Sequence, residues 1–425
     1  MTLVILAFVV LLVMGLPVAF AIAGAAAMFF FQNPSLPFTI PAQQTITQTQ
    51  NFALLAIPLF VLAGNLMNHT GLTRRLLDLV TALLGHFRGG LAQASLALSA
   101  MMGGVSGSAI ADASMQARML GPEMIARGVP KAHTAAILSF GSILTPIIPP
   151  GIGMILYGTI GQVSIGQLFA AGIIPAMFLW AALAAAVAIQ ARRGDWAPER
   201  ARRLAPRELP GVLGAGFWAL LFPVILLLGL RSGLFTPSEI GALAVIYALL
   251  VGLVVFRELS ARGFGMAMSD TLADIGSVML LISVSASLSY AMILERVPET
   301  LAGYIAGLPG GMEVVMLVAV LGVILAGFVI DATVLIIMLT PILLPMMRSL
   351  GADPVHFGIV FIIAASVGNS TPPVGAAMYS VCSILGCPVG SYARASVLLL
   401  LAIALVTCLL VFLPGIVLFL PSVLI

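Results

Sequence analysis

Two stretches of glycine-rich, polar sequence interrupt runs that are otherwise apolar, and they match part for part. The first, residues 103–112 (GGVSGSAIAD), is followed by Thr145-Pro146 and then Pro149-Pro150. The second, residues 327–331 (GFVID), is followed by residues 368–373 (GNSTPP). Asp112 and Asp331 each stand ten residues before a proline, Pro122 and Pro341. Polar backbone cannot lie exposed in a lipid environment, so each break must be covered by protein, water or a bound species. Broken apolar segments at corresponding places in two halves point to inverted repeats whose breaks meet near the bilayer midplane.

The surroundings of the breaks are membrane-like. The chain is 61% hydrophobic and 8% charged over 425 residues, whereas a soluble domain carries about 25% charged residues. Apolar runs long enough to cross a bilayer cover residues 2–31, 168–190, 214–230, 240–255, 274–293, 313–329 and 395–420. They are continuous, not alternating, which favours helices over an outer-membrane barrel. The runs predict an all-α polytopic membrane protein. Residues 1–31 lack a basic leader and are too long for a signal-peptide core. They read as a first span bent at Pro17.

Charge placement orients the chain. Arg192, Arg193, Arg200, Arg202, Arg203 and Arg207 supply six of the eighteen basic residues, so the positive-inside rule places this segment in the cytoplasm. Asp195, Glu199 and Glu208 dilute it, and it does not read as a nucleic-acid patch. It divides the chain into repeats 1–210 and 211–425. In the first, an in-plane amphipathic helix is expected near 69–88, a hairpin near 91–125 and a broken helix near 132–162. In the second, the counterparts are expected near 257–274, 313–347 and 355–386. Cys382, Cys387 and Cys408 fit no zinc or redox spacing and read as small core residues, and the four histidines form no ligand pair.

The breaks have a chemistry. Freed carbonyls with side-chain oxygens from Ser106, Ser108, Ser142 and Thr145, and from Asn369, Ser370 and Thr371, suit a hard monovalent cation such as sodium. Half-helix N-termini suit an anionic group. Gly104, Gly107, Gly141, Gly327 and Gly368 permit close backbone approach, and the prolines hold the helices open. Asp112 and Asp331 admit three roles: ligating sodium, capping a half-helix, or carrying a proton. Arg118 lies within two turns of Asp112 as a possible partner. A different class, an intramembrane aspartyl protease using both aspartates, lacks the Gly-x-Gly-Asp context and leaves the proline breaks unexplained. No other catalytic arrangement and no P-loop is present, so a non-enzymatic role driven by an ion gradient or by another chain is expected.

Six strings carry a family resemblance: GLPVAFAIAG (15–24), SGSAIADAS (106–114), ILTPIIPPGIGMILYG (143–158), GLFTPSEIGALAVIYAL (233–249), GFVIDATVLIIMLTPILLP (327–345) and GNSTPPVG (368–375). In this order they resemble the large membrane subunit, DctM-like, of TRAP (tripartite ATP-independent periplasmic) transporters, over nearly the whole chain. One departure is Gly151, where many members carry serine. The resemblance implies an inverted-repeat elevator transporter of the bacterial inner membrane, with roughly 11 to 12 transmembrane helices and two re-entrant helical hairpins. It would couple sodium ions, with no other cofactor, to uptake of a C4-dicarboxylate or related carboxylate or sugar acid. The acid would come from a periplasmic binding protein, and a separate small four-helix subunit would pack on the scaffold. A stand-alone sodium/dicarboxylate carrier of related fold is the alternative. Carried over by motif, Ser106, Gly107, Ser108, Gly141 and Thr145 would frame one sodium site. Gly327, Asp331, Gly368 and Thr371 would frame another. Ser106, Ser108, Pro150, Gly151, Asn369, Ser370 and Thr371 would face substrate. Asp112, Pro146, Pro149, Pro372 and Pro373 would shape the breaks.

Overall fold

Glycine and proline set where the helices turn. The computed structural model describes residues 1–37, 39–103, 107–199, 207–231, 235–306 and 311–424. Ser106 and Gly104 of the first break, and Arg200, Arg202 and Arg203 of the basic segment, lie outside the described residues. Residues 2–31 form two helices, not one bent span: α1 (Thr2–Val13) and α2 (Val18–Gln32). Gly15 adopts φ +84°. Leu16 N donates to Leu11 O at 3.2 Å and Gly15 N to Leu12 O at 3.0 Å. A left-handed glycine with such bonds closes a helix, and the proline two residues on starts the next. The two then pack together, since a Cβ on Gly24 would lie 2.8 Å from Leu11 Cδ1.

After α3 (Thr39–Thr49), α4 (Ala56–His69) and α5 (Leu72–Leu84) join at left-handed Gly71. On α5, Leu72, Leu76, Leu79 and Val80 are buried while Arg74 and Asp78 are exposed, the amphipathic face expected near 69–88. The first hairpin follows as α6 (Gly90–Met102) and α7 (Ala109–Met119), extended by α8 (Gly121–Ala126). Next come the two halves of a broken helix, α9 (Lys131–Gly141) and α10 (Ile152–Gly161), and the long α11 (Ile165–Arg193).

The second half begins with α12 (Leu209–Arg231) and α13 (Pro237–Leu250), whose start is held by a capping box between Thr236 and Glu239. The in-plane helix expected near 257–274 is not a separate element. Ser260 caps α14 (Ala261–Leu294), which runs unbroken for 34 residues. No proline interrupts it, so its polar first turns and its apolar remainder are one helix. The short helix that precedes the second hairpin, as α5 precedes the first, is α15 (Val297–Ala306). The hairpin is α16 (Gly311–Gly327) and α17 (Ala332–Ser349), and the second broken helix is α18 (Pro354–Ser370) and α19 (Ala376–Leu385). The apolar run 395–420 divides at Pro414 into α20 (Val389–Phe412) and α21 (Pro414–Leu424).

Among the described residues, six helical segments are long and apolar enough to cross a membrane. Packing expresses the repeat. α10 lies against α17 and α19 against α7, so the second half of each broken helix packs on the second arm of the other repeat's hairpin. α4, α13 and α14 pack together beside this unit, and α2 and α3 cover α14. Where lipid offers no hydrophobic drive for helix association, close packing over small residues holds such a bundle.

Candidate functional site

The first break is tied by Asp112. The N-cap of α7 is Ser108, whose Oγ accepts from Ala111 N at 3.5 Å, so Asp112 is not the cap. It is 1% exposed. Its Oδ2 accepts from Ser99 Oγ at 2.7 Å and Thr145 Oγ1 at 3.0 Å, and its Oδ1 from Gln116 Nε2 at 2.9 Å. One carboxylate therefore joins α6, α7 and the unwound stretch after α9. Arg118 is exposed and is not among its partners. Thr145 Oγ1 also lies 3.2 Å from Ser99 O. Gly141 lets α9 approach α6, since a Cβ there would lie 3.0 Å from Leu96 Cδ2.

The second break is organised differently. Asp331 caps α17, its Oδ1 accepting from Thr333 N at 2.8 Å and its Oδ2 from Asn369 Nδ2 at 2.9 Å. Asn369 is 2% exposed, and its Oδ1 has no hydrogen-bond partner. Gly327 and Gly368 touch backbone to backbone: a Cβ on Gly368 would lie 2.5 Å from Gly327 Cα. Ser370 Oγ donates to Ser139 O at 2.9 Å and Thr371 Oγ1 to Val367 O at 2.7 Å. Asp112 and Asp331 thus have separate partner sets.

The two unwound loops are built alike. Pro149-Pro150 and Pro372-Pro373 both have cis bonds. A Cβ on Gly151 would sit 2.0 Å from Pro146 O, and one on Gly375 would sit 2.5 Å from Asn369 O. Each glycine caps the helix that follows, α10 or α19. The departure from the family pattern at Gly151 is therefore matched by a loop with no room for a side chain. Gly107, at φ +61°, faces Pro150 O and Ile152 N, and Gly103 faces Thr145 O. The first hairpin tip and the first unwound loop are in backbone contact.

A cavity of about 380 Å³ opens where these parts meet helices α4 and α14. Its wall includes the first residues of three helices: Ala109–Ala111 of α7, Ile152 and Gly153 of α10, and Ala332 and Thr333 of α17. Their N-terminal amides and aligned dipoles favour an anion. Gly107, Ser108, Pro146, Asp331 and Asn369 also line it, whereas the buried Pro150, Gly151, Ser370 and Thr371 do not. The opposite wall is polar in a way the motifs did not indicate, with Asn65 and Asn68 of α4 and Asp274 and Ser277 of α14. Asn65 Nδ2 donates to Thr271 Oγ1 at 3.0 Å and lies 3.3 Å from Asp274 Oδ2. The signal was available as amide and carboxylate side chains inside apolar runs.

Comparison with known proteins agrees with this architecture. Residues 5–416 match the family model for the tripartite ATP-independent periplasmic transporter, DctM component. The chain is 36% identical to the 2,3-diketo-L-gulonate TRAP transporter large permease of Escherichia coli, over 85% of this chain and 84% of that one. It is 33% identical to the sialic acid TRAP transporter large permease of Vibrio cholerae, over 97% and 96% of the two chains. Its fold is similar to the crystal structure of the Alcanivorax borkumensis YdaH transporter, described as having an unusual topology. The TM-score is 0.63 at 16% identity, covering 89% of this chain and 88% of that one. An inner-membrane chain with matched breaks, and with this likeness along nearly its whole length, belongs to the DctM family of TRAP transporter large permeases.

Proposed function

We propose that this permease imports a small organic acid by sodium-coupled elevator transport, receiving it from a periplasmic binding protein and working with a separate small membrane subunit. The observation that carries the reading is the convergence of three helix N-termini on one cavity of about 380 Å³. Such an end-on arrangement stabilises a carboxylate without a basic side chain. Asp274, Asn65 and Asn68 on the facing wall supply acceptors and amides suited to hydroxyl groups. Two carboxylates in the wall, Asp274 and Asp331, disfavour a second negative charge on the ligand. These features favour a hydroxylated acid over a C4-dicarboxylate, and relatives named for 2,3-diketo-L-gulonate and sialic acid support that class.

Sodium is the second cargo. Unpartnered Asn369 Oδ1 beside the Gly327–Gly368 contact provides a buried oxygen in the second repeat. The Thr145 and Pro150 carbonyls facing Gly103 and Gly107 provide main-chain oxygens in the first. The hairpins and broken helices would carry both cargoes past the wall formed by α4 and α14. The test is uptake of radiolabelled sugar acids into proteoliposomes holding this chain, its small subunit and the binding protein. Uptake should require an inward sodium gradient, and succinate should compete poorly. Uptake indifferent to sodium would overturn the coupling, and preferential uptake of succinate would overturn the substrate class.

A further inference from the structure

A second cavity lies away from the transport site, and nothing above assigns it. It measures about 760 Å³ and lies between the end of α5, the start of α6 and the second half of α11. One wall is a single stripe of α11: Trp180, Ala184, Ala188 and Arg192, each four residues after the last. At 1.5 Å per residue, that stripe runs roughly 18 Å from Arg192 to Trp180, comparable with one leaflet of a hydrocarbon core about 30 Å thick. The polar end carries Arg88, Arg192 and His86, next to the basic segment after α11.

The charges at that end are not neutralised in kind. Arg88 Nη1 lies 3.2 Å from Asp195 Oδ1, but both side chains are largely exposed, at 60% and 87%. Among the described residues no carboxylate pairs with Arg192. Two polar atoms of lining residues, His86 Nδ1 and Trp180 Nε1, are buried without a hydrogen-bond partner. Gln93 Nε2 is already engaged, donating to Ala184 O at 2.8 Å. The result is a groove with a cationic mouth, a small-residue floor and unused hydrogen-bonding groups.

We infer that this groove binds one anionic glycerophospholipid of the cytoplasmic leaflet, its phosphate at Arg88 and Arg192 and an acyl chain over Ala184 and Ala188. A soluble phosphate would use only the mouth; the apolar length beneath requires a chain. Basic pockets between helices on the cytoplasmic side recognise lipid head groups in this way. Because the groove joins α5 to the hairpin helix α6, the lipid would fill the seam between two units of the fold.

The experiment is native mass spectrometry of the purified full chain titrated with phosphatidylglycerol, phosphatidylcholine or inorganic phosphate. The chain should retain one phosphatidylglycerol in preference to phosphatidylcholine. Arg192→Gln and Arg88→Gln should each reduce that preference about fivefold. Arg193→Gln, whose side chain does not line the groove, should leave it intact. Ala188→Trp should block retention with both arginines present, while circular dichroism confirms the fold. Equal retention of both lipids, or a preference that survives loss of both arginines, would overturn the proposal. Displacement of the lipid by millimolar inorganic phosphate would also overturn it, showing a free-anion site.

Discussion

Asn369 donates from Nδ2 to Asp331 Oδ2 at 2.9 Å, and this bond is the second repeat's counterpart of the Thr145–Asp112 contact at 3.0 Å. In each repeat the broken helix reaches across to the carboxylate at the start of the hairpin's second arm. The chemistry is conserved in outline and changed in detail. Asp112 is enclosed by three side-chain donors, whereas Asp331 caps a helix and leaves Asn369 Oδ1 unmatched. Each repeat leaves one buried amide oxygen unmatched beside its carboxylate, Gln116 Oε1 in the first and Asn369 Oδ1 in the second, so the two differ in the donors that hold the aspartate.

Asp331→Ala removes a helix cap, a loss of about 1 kcal/mol, and leaves the Asn369 amide without its acceptor. Sodium dependence of uptake should shift to higher sodium, while the thermal midpoint falls only slightly. Asp331→Asn keeps the cap and should recover most of the stability. Uptake assays across a sodium series, paired with thermal unfolding, separate the two effects. An unchanged sodium response in both variants would remove Asp331 and Asn369 from the proposed ion site.

Asp112→Ala should act chiefly on stability. It leaves buried Ser99 Oγ–H without an acceptor and strips one partner each from Thr145 and Gln116, at about 1–3 kcal/mol for each buried group left unsatisfied. Asp112→Asn, which retains shape and one acceptor oxygen, should cost less. Thermal unfolding in detergent with and without sodium checks this. A midpoint unchanged in Asp112→Ala would mean these bonds hold nothing together.

Much of this arrangement was legible in the sequence, and the limits have physical causes. The paired Gly/Ser and Pro-Pro breaks coincide with the ends of α6, α7, α9, α10 and α16 to α19, because unpaired backbone in a membrane tolerates few residue types. The division of 2–31 into α1 and α2 was missed because hydropathy is blind to a reversal that costs only Gly15 and Pro17. Residues 257–274 read as in-plane because the projecting first turns of a long span are as amphipathic as a surface helix. The facing wall of Asn65, Asn68, Asp274 and Ser277 was not found because it is assembled from two helices about 200 residues apart in sequence.

Gly368→Ala should be strongly destabilising for so small a substitution. The added methyl would meet Gly327 Cα at 2.5 Å and Ile324 O at 2.9 Å, both main-chain atoms. The helices α16 and α18 must separate, an overpacking cost of about 1–3 kcal/mol. Gly322→Ala on α16, the helix that Gly368 packs against, has nothing within 4 Å; it is the control and should be neutral. Equal thermal midpoints for the two variants would contradict the close contact.

The Arg75–Glu258 bridge ties α5 to the segment before α14. Arg75 Nη2 lies 2.7 Å from Glu258 Oε1 and its guanidinium 3.9 Å from the Phe256 ring centroid. The hydrogen bond from Arg75 holds the Glu258 carboxyl below its ordinary range. A carboxylate with a depressed folded-state pKa gives stability that is present above the unfolded pKa and lost as pH falls through the folded value. The contribution is small because both groups are partly exposed. Thermal midpoints of the parent and Glu258→Gln should therefore differ at pH 7 and converge below pH 4, a range set by the carboxylate pKa of about 4.3. A difference that persists at low pH would assign the effect to packing.

Asn65→Ala tests the α4–α14 wall of the cavity proposed to hold substrate. Asn65 Nδ2 is shared between Thr271 Oγ1 at 3.0 Å and Asp274 Oδ2 at 3.3 Å, so it fixes the carboxylate that faces the helix N-termini across the cavity. If Asp274 receives substrate hydroxyls, freeing its side chain should raise the KM for a sugar acid about tenfold, the equivalent of about 1.4 kcal/mol. The sodium dependence should not move, because the oxygens proposed for sodium belong to Asn369, Thr145 and Pro150 and not to this wall. Asp274→Asn keeps the size and one acceptor and should show a smaller rise. If the pair only anchors α4 to α14, Asn65→Ala would lower the thermal midpoint and leave KM as it was. Initial-rate uptake in proteoliposomes at saturating sodium distinguishes these outcomes.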